Sequence, residues 1–165
     1  MNLQLVNEND PILRLTAKSW DFETDGDPSD IVRDMARIMI ESNGIGLAGP
    51  QVGLSKRIFV MGNKDKLYAC INPEIIEAEG NVIDQEGCLS FPELWLRVRR
   101  ADIIKVKYQN ALGGTIEAEF SGLISRVYQH ESDHLNGVCF DARVGKLSLE
   151  MAKRRKKKRL KKSLN

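Results

Sequence analysis

Apolar residues recur three and four residues apart in two segments of the chain, which predicts two amphipathic helices. The first covers residues 31–42, and Ser29 and Asp30 stand where a helix cap is expected. The second covers LISRVYQHESDHLN, residues 123–136, and Gly137 lies where such a helix would end. Each helix is therefore expected to turn one apolar face toward a core.

Strand patterns account for most of the remaining chain. Residues 58–61 and 67–72 are rich in β-branched and aromatic side chains, and the segment between them has turn residues. Residues 102–109 and 115–120 alternate apolar and polar side chains, which predicts a hairpin. The segment VIDQEGCLSFPELW, residues 82–95, predicts a loop. Because strands and helices do not alternate regularly, the predicted fold class is α+β and not a doubly wound sheet.

The composition is that of an ordinary globular domain. The chain has 165 residues, 42% of them apolar and 29% charged, which is enough for one domain with a hydrophobic core. No apolar run is long enough to cross a bilayer, and the N-terminal residues lack the pattern of a signal peptide. Three cysteines, an odd number, argue against a disulfide framework. We therefore expect no membrane partner and a reducing, cytoplasmic location.

The C-terminal segment concentrates positive charge. Residues 146–165 contain ten Lys or Arg and one Glu, a net charge of +9, whereas the whole chain carries +2, which leaves −7 for the remainder. Two hypotheses fit such a basic tail: a solvated, frayed terminus, or electrostatic docking on RNA or protein.

The glycine-rich stretch GIGLAGPQVG has the spacing of a dinucleotide-binding fingerprint but the wrong surroundings. In that fingerprint a strand leads into the glycines and a helix follows them. Here a predicted helix precedes Gly44 and a predicted strand follows Gly53. No nucleotide cofactor is therefore expected. A structural turn would explain the glycines but not Gln51, a polar residue just beyond them.

The two histidines of the chain, His130 and His134, indicate a metal site. They are four residues apart on the second predicted helix, so both imidazoles can reach one ion, and Glu131 lies beside the first. A catalytic site needs a third protein ligand, which must be a carboxylate or a cysteine because no histidine remains. Among the cysteines, Cys88 fits best because it lies in a polar, loop-like context. On spacing alone, the third ligand can still be either a carboxylate or a cysteine.

Three segments in order, GIGLAGPQVG, EGCLS and QHESDHLNG, resemble the signature motifs of the peptide deformylase family. That family removes the formyl group from the N-formylmethionine that begins new polypeptides. The resemblance extends from near the N-terminus to about residue 143. With the helix and strand patterns, it implies mixed or antiparallel sheets around a central helix that carries the HExxH motif. An N-terminal helix and a basic C-terminal helix or tail complete the predicted fold, with a catalytic metallohydrolase domain at 1–145 and the basic tail at 146–165.

The resemblance also implies roles for individual positions. It implies hydrolysis by a metal-bound hydroxide, with a general acid/base and two groups that stabilise the oxyanion. The implied metal ligands are Cys88, His130 and His134; Glu131 would be the acid/base; the Gln51 side chain and the Leu89 N–H would meet the oxyanion; and Ile45, Gly46, Gly87, Leu123 and Val127 would bind substrate.

The implied cofactor is one divalent metal ion, Fe(II) in most of the family, with Zn, Ni or Co able to take its place. The implied partners are N-formylmethionyl nascent peptides and, through the basic tail, the ribosome. Asp133, inside the helix motif, is expected to be a solvated residue or to orient a ligand. Two other functions stay open: another HExxH metallopeptidase, and a nucleic-acid-binding module that acts through the tail.

Overall fold

The computed structural model describes residues 3–164 and contains three α-helices and seven β-strands within them. The helices are α1 (Ser29–Glu41), α2 (Gly122–Leu135) and α3 (Lys146–Lys162). The strands are β1 (Gly46–Ala48), β2 (Ile58–Gly62), β3 (Leu67–Glu79), β4 (Val82–Cys88), β5 (Phe91–Arg100), β6 (Ile103–Gln109) and β7 (Thr115–Ser121). Short 3-10 helices occur at Pro11–Arg14, Gly49–Val52 and Phe140–Arg143.

The strands form two sheets. The larger has the order β1-β2-β3-β6-β7, and the smaller is the β4–β5 hairpin. Each pair of neighbouring strands is antiparallel. The α+β class is therefore confirmed, and the predicted hairpin of residues 102–120 is present as β6 and β7.

The large sheet is covered on both faces, and β2 shows why. Successive side chains of a strand point to opposite faces, so Phe59 and Met61 join a core with α2, while Ile58 and Val60 join a core with α1. Tyr128 of α2 packs edge-on against Phe59, with ring centroids 5.0 Å apart. Helix α2 thus lies against one face of the sheet, and its position is set by apolar packing.

The prediction of a loop at residues 82–95 is wrong, because β4 and β5 run through that segment. On β4 most side chains are exposed and the buried one is Glu86, so no apolar alternation marks the strand. On β5 the inward side chains are Phe91, Leu94, Leu96 and Val98, and this alternation lies partly beyond residue 95. The hairpin is stabilised by contacts with distant parts of the chain, which local patterns do not show.

The start of the first helix differs in detail from the prediction, and the basic C-terminal segment takes the helical one of its two predicted forms. The first helix begins at Ser29 without a side-chain cap from Ser29 or Asp30; instead Asp27 accepts a hydrogen bond from the Ser29 N–H at 2.8 Å. The basic segment is helical from Lys146, and Ala152 anchors it in an apolar cluster with β5. Within residues 3–164, no helix combines the length and the apolar character that crossing a membrane requires.

Candidate active site

Helix α2 brings the two histidines and the intervening glutamate to one buried position. His130, Glu131 and His134 are 7%, 3% and 0% exposed. The imidazole rings lie edge to face, with centroids 5.0 Å apart, because residues four apart share one face of a helix. The helix therefore presents two imidazole nitrogens toward a single point.

The β4–β5 hairpin supplies a sulfur at the same point. Cys88 ends β4, just before the two-residue turn to β5. Its Sγ lies 3.4 Å from Nε2 of His134, and one ligand atom from each of Cys88, His130 and His134 lies within 4.8 Å of the others. Among the described residues, Cys70 and Cys139 are buried thiols outside this group.

A buried carboxylate holds the His130 ring. Oε2 of Glu86 lies 2.9 Å from Nδ1 of His130, while Arg100 and Arg126 donate to the same carboxylate. Burial alone raises the pKa of Glu86, but the hydrogen bonds from His130 and Arg100 outweigh it and hold that pKa at about 2. An ionised carboxylate only accepts, so Nδ1 of His130 donates to Glu86, and Nε2 is the ring nitrogen left for Cys88 and for a metal ion.

Asp133 extends this network and is not a solvated residue. It is 8% exposed, and it accepts hydrogen bonds from Arg100 at 2.5 Å and from Arg143 at 2.5 and 2.9 Å. Arg100 thereby bridges Asp133 on α2 and Glu86 on β4. The network fixes α2 against the hairpin, and so fixes the distance between the histidines and Cys88.

Glu131 is buried beside the three candidate ligands. Within the described residues its Oε2 has no hydrogen-bond partner. Burial raises the pKa of Glu131 to about 7, with the charge of His130 acting in the opposite direction. A Cβ at Gly46 would lie 2.3 Å from Oε1 of Glu131, so the backbone of β1 covers the other oxygen closely. The carboxylate therefore has an unpartnered oxygen within the site.

A hydrogen bond from the backbone fixes the orientation of the Gln51 side-chain amide in the site. Its Oε1 accepts the Ala48 N–H at 2.8 Å, which directs the amide NH₂ toward Cys88 Sγ and Ser90 Oγ, each 3.4 Å away. The 3-10 helix Gly49–Val52 holds this side chain, and Gly53 ends it in the left-handed region, at φ 78. The glycine stretch thus presents a hydrogen-bond donor to the site.

A cleft of about 710 Å³ lies above these groups. Trp95, 48% exposed, forms part of its rim and packs over Gly87, where an added Cβ would lie 2.9 Å from the ring. His134 is fully buried beneath the cleft. The other residues to which the resemblance assigned a role in the site line the cleft: Ile45, Gly46, Gln51, Gly87, Cys88, Leu89, Leu123, Val127, His130 and Glu131.

Sequence reasoning missed the residues that support the ligands. Glu86 stands in the quoted EGCLS segment, but a glutamate in a predicted loop gives no sign that it is buried. Arg100 and Arg126 are 14 and 40 residues away from it in the chain. Two arginines within strongly apolar patterns were the available signal, because arginine is rarely buried without a partner.

The donor set fits a divalent transition-metal ion. One sulfur and two imidazoles leave a coordination position open, as catalytic sites require. Burial alone lowers the pKa of His130, but the hydrogen bonds to Cys88 and Glu86 outweigh it and raise that pKa to about 10 in the metal-free protein. A metal ion bound at Nε2 would take the place of a proton there. Burial lowers the pKa of His134, which keeps its imidazole neutral and able to bind a metal.

Comparisons with known proteins agree with this site. Residues 2–150 match the family model described as polypeptide deformylase. The peptide deformylase of Thermotoga sp. (strain RQ2) is 45% identical over 136 residues, which are 82% of each protein. The crystal structure of a peptide deformylase from Legionella pneumophila is similar with a TM-score of 0.88 and 32% identity, covering 99% of this chain and 98% of that one.

A further structure shows a relative with a peptide bound. It is a class I type b peptide deformylase from Acinetobacter baumannii with Met-Ala-Ser, at a TM-score of 0.81 and 34% identity, covering 87% of this chain and 99% of that one. The resemblance first seen in three short motifs is thereby confirmed over most of the chain. This chain belongs to the peptide deformylase family of enzymes.

Proposed function

We propose that this chain removes the N-formyl group from the N-terminal formylmethionine of newly synthesised polypeptides and releases formate. The observation that carries the proposal is the meeting of Cys88, His130 and His134 within 4.8 Å, beside an unpartnered oxygen of Glu131. These groups lie at the floor of a cleft large enough for a peptide end. The relative with Met-Ala-Ser bound supports a peptide as the ligand of such a cleft.

Cys88, His130 and His134 would hold one divalent ion, and we propose Fe(II), with Zn, Ni or Co as substitutes. A mixed sulfur and imidazole set suits each of these ions. When bound, the ion supplies a Lewis acid that polarises a carbonyl and makes water a better nucleophile near neutral pH. Glu86 keeps His130 in the tautomer that leaves Nε2 free for the ion.

Glu131 is proposed to move the protons. Its unpartnered oxygen can accept a proton from the attacking water, and the same carboxyl can then give a proton to the departing amine. Burial keeps water other than the reactant away from the carboxylate, because the residue is 3% exposed. The close backbone of Gly46 keeps the side chain in one position.

Gln51 and Leu89 are proposed to stabilise the oxyanion. The Gln51 amide already donates into the site because its oxygen is held by Ala48. Leu89 follows Cys88 and begins the turn, so its backbone N–H would lie close to the formyl group of a substrate bound at the metal. Losing one such donor typically costs about 10²–10³ in kcat.

The edge strand β1 is proposed to bind the peptide backbone. The Ile45 carbonyl accepts a hydrogen bond from the Gly62 N–H at 2.9 Å, so its backbone groups face β2. Because backbone groups of successive residues in a strand point in opposite directions, the N–H and C=O of Gly46 point away from β2. The Ala48 N–H, two residues on, points the same way, toward Gln51. A substrate can therefore add as a strand between β1 and Gly87. Side chains at the cleft form an apolar wall for methionine: Ile45, Leu89, Leu123 and Val127.

The basic helix α3 is proposed to dock on the ribosome. In this view residues 1–145 perform catalysis, and residues 146–165 place the enzyme near emerging chains. Ala152 anchors the helix to the body, while its lysines and arginines are largely exposed to an anionic surface. We also propose a cytoplasmic location, which the three free thiols support, because oxidising compartments favour disulfides.

A formate-release assay tests the proposed function. Protein loaded with Fe(II) without oxygen should release formate from a formyl-Met peptide, and anaerobic handling protects the thiolate ligand. Glu131→Gln should bind the metal and lose nearly all of this turnover. Cleavage of an internal peptide bond instead of formate release would favour another metallopeptidase, and full activity of Glu131→Gln would contradict the role of that residue.

A further inference from the structure

A second groove, of about 580 Å³, lies between α3 and the β4–β5 hairpin. Its walls carry three arginines, Arg97 on β5 and Arg155 and Arg159 on α3, against one acid, Asp84. Within residues 3–164, none of these three guanidinium groups forms a salt bridge with a carboxylate. The groove therefore has an excess of positive charge that the described residues do not neutralise.

The groove adjoins the substrate cleft. Gln85 and Trp95 line both spaces, and Gln85 pairs with Arg97 across the hairpin. The Trp95 ring covers Gly87, the residue next to the candidate ligand Cys88. A chain that leaves the cleft past Trp95 enters the groove directly.

Helix α3 is fixed to the rim of the cleft where the two spaces meet. Arg159 donates a hydrogen bond to the Glu93 carbonyl at 2.6 Å. Glu93 lines the cleft and has φ 63, an uncommon left-handed conformation for a residue with a side chain. Ala152, 3% exposed, packs between the helix and β5. These contacts hold α3 against the β4–β5 hairpin, so both walls of the groove are fixed in position beside the cleft.

We infer that this groove binds residues of the polypeptide substrate downstream of those in the cleft, and that it favours segments rich in Asp or Glu. The inference rests on the proposed function, in which the substrate is a polypeptide. An extended chain advances about 3.3–3.6 Å per residue, so a nascent chain must leave the cleft after a few residues. Guanidinium groups without a carboxylate partner complement the carboxylates of a ligand, while Leu96, Val144 and Met151 offer apolar contacts to a peptide.

Three formylated peptides test this inference with the metal-loaded enzyme. One is a formyl-Met tripeptide that ends within the cleft, and the other two extend it with a Glu-rich or a Gln-rich segment. The Glu-rich peptide should have the higher kcat/KM, through KM, by about two- to fivefold for each arginine engaged. The difference should shrink as salt is added, because the groove is open to solvent.

Charge-reversal variants test whether the preference for the Glu-rich peptide arises from the arginines of the groove. Arg155→Glu and Arg97→Glu should each reduce or invert the ratio of kcat/KM between the Glu-rich and Gln-rich peptides. Arg154→Glu is the matched control: it makes the same charge change one position along the same helix, but Arg154 does not line the groove. That variant should retain the ratio, and tripeptide turnover corrects each variant for the state of its active site.

Each other result overturns the inference. No preference for the Glu-rich peptide in the unmodified enzyme, or equal loss in Arg154→Glu and Arg155→Glu, would show that the groove does not select acidic segments. Loss of ribosome binding in Arg155→Glu without any peptide preference would assign the groove to an RNA-binding surface. Absence of tripeptide turnover would overturn the proposed function together with this inference, whereas tripeptide turnover without the preference would overturn the inference alone.

Discussion

Gly46 permits the closest backbone approach to the candidate acid/base. A Cβ at this position would lie 2.3 Å from Oε1 of Glu131 and 2.8 Å from Cγ1 of Val127. The requirement for glycine is steric, because the residue is not among those with positive φ. Gly46, the middle glycine of the GxGxxG spacing, thus permits the close approach of β1 to α2.

Gly46→Ala is expected to impair catalysis more than folding. The added methyl group would displace Glu131, and misplacing a catalytic group by about 1 Å can cost roughly 10²-fold in rate. Overpacking should reduce the free energy of unfolding by about 1–3 kcal/mol. Formate release and urea unfolding measure the two effects. Gly145→Ala, where a Cβ meets nothing within 4 Å, is the control, and unchanged kcat in Gly46→Ala would refute the steric role.

Glu86 stabilises the site although it is not a candidate ligand. Glu86→Gln would leave the buried guanidinium groups of Arg100 and Arg126 with a weaker partner, and breaking a buried ion pair costs about 3–5 kcal/mol. Loss of the partner of His130 should also weaken metal binding by about 10–100-fold. Urea unfolding of the metal-free protein and a metal-competition titration measure these quantities.

An exposed ion pair provides the comparison for that experiment. Glu77 pairs with Lys105 at 2.7 Å, and both side chains are about half exposed, at 52% and 51%. Glu77→Gln should therefore change the free energy of unfolding by at most about 1 kcal/mol and leave metal affinity unchanged. Equal effects of the two substitutions would show that the buried network around Glu86 has no special importance.

At the level of elements, α3 combines an anchored end with a highly charged remainder. Leu149 and Ala152 pack into the cluster that includes Leu94 and Leu96 of β5. The lysines and arginines that follow repel one another, so this helix depends on packing against the body and on any anionic partner. Its first turns pack against the body, and most of the side chains beyond Ala152 are exposed.

Deletion of residues 153–165 is expected to weaken binding to the ribosome and to spare turnover of a formyl-Met tripeptide. For every phosphate that the deleted lysines and arginines would neutralise, the slope of log affinity against log salt should become shallower by about 1. Sedimentation with ribosomes at several salt concentrations measures that slope. Replacing the tail arginines with lysine keeps the charge and should keep the slope. Unchanged affinity after the deletion would rule out the docking role of α3.

At the level of the whole molecule, the candidate metal site joins the two sheets. Cys88 lies on the β4–β5 hairpin, whereas His130 and His134 lie on α2, which packs against the five-stranded sheet. An ion bound to all three residues would connect parts of the fold that otherwise rely on the arginine and carboxylate network. Metal binding and folding should therefore be coupled.

Chelation of the metal is expected to lower Tm. A ligand at 100 times its Kd stabilises the folded state by about 2.7 kcal/mol, and each kcal/mol shifts Tm by roughly 2–4 °C in a protein of this size. Scanning calorimetry of the loaded and chelated protein should thus show a difference of about 5–10 °C. Cys88→Ala should show little metal-dependent shift. Identical Tm values for loaded and chelated wild-type protein would contradict the coupling.

The helix-borne part of the site could be predicted because it depends on local geometry. His130 and His134 lie on one face of any helix that contains them, with Glu131 next to the first, and this spacing can be read directly from the sequence. The same holds for α1 and for the β6–β7 hairpin, whose apolar patterns match their burial. The family follows from three short motifs in order, and these motifs also lie in local segments.

The assembly around that helix depends on contacts between residues far apart in the chain. Cys88 joins His130 and His134 from 46 residues away, whereas Cys70 and Cys139 lie outside this group, although Cys139 Sγ is 3.9 Å from Nδ1, the other ring nitrogen of His134. No local pattern distinguishes the three cysteines. Glu86 and Asp133 are buried because arginines from other elements reach them, and the β4–β5 hairpin is a sheet because β5 packs on α3 and distant apolar residues. Periodicity records which face of an element is apolar, but it does not record which element will cover that face. For this reason the family and the candidate ligands could be inferred from the chain alone, whereas the supporting charges and the groove beside α3 became visible only in three dimensions.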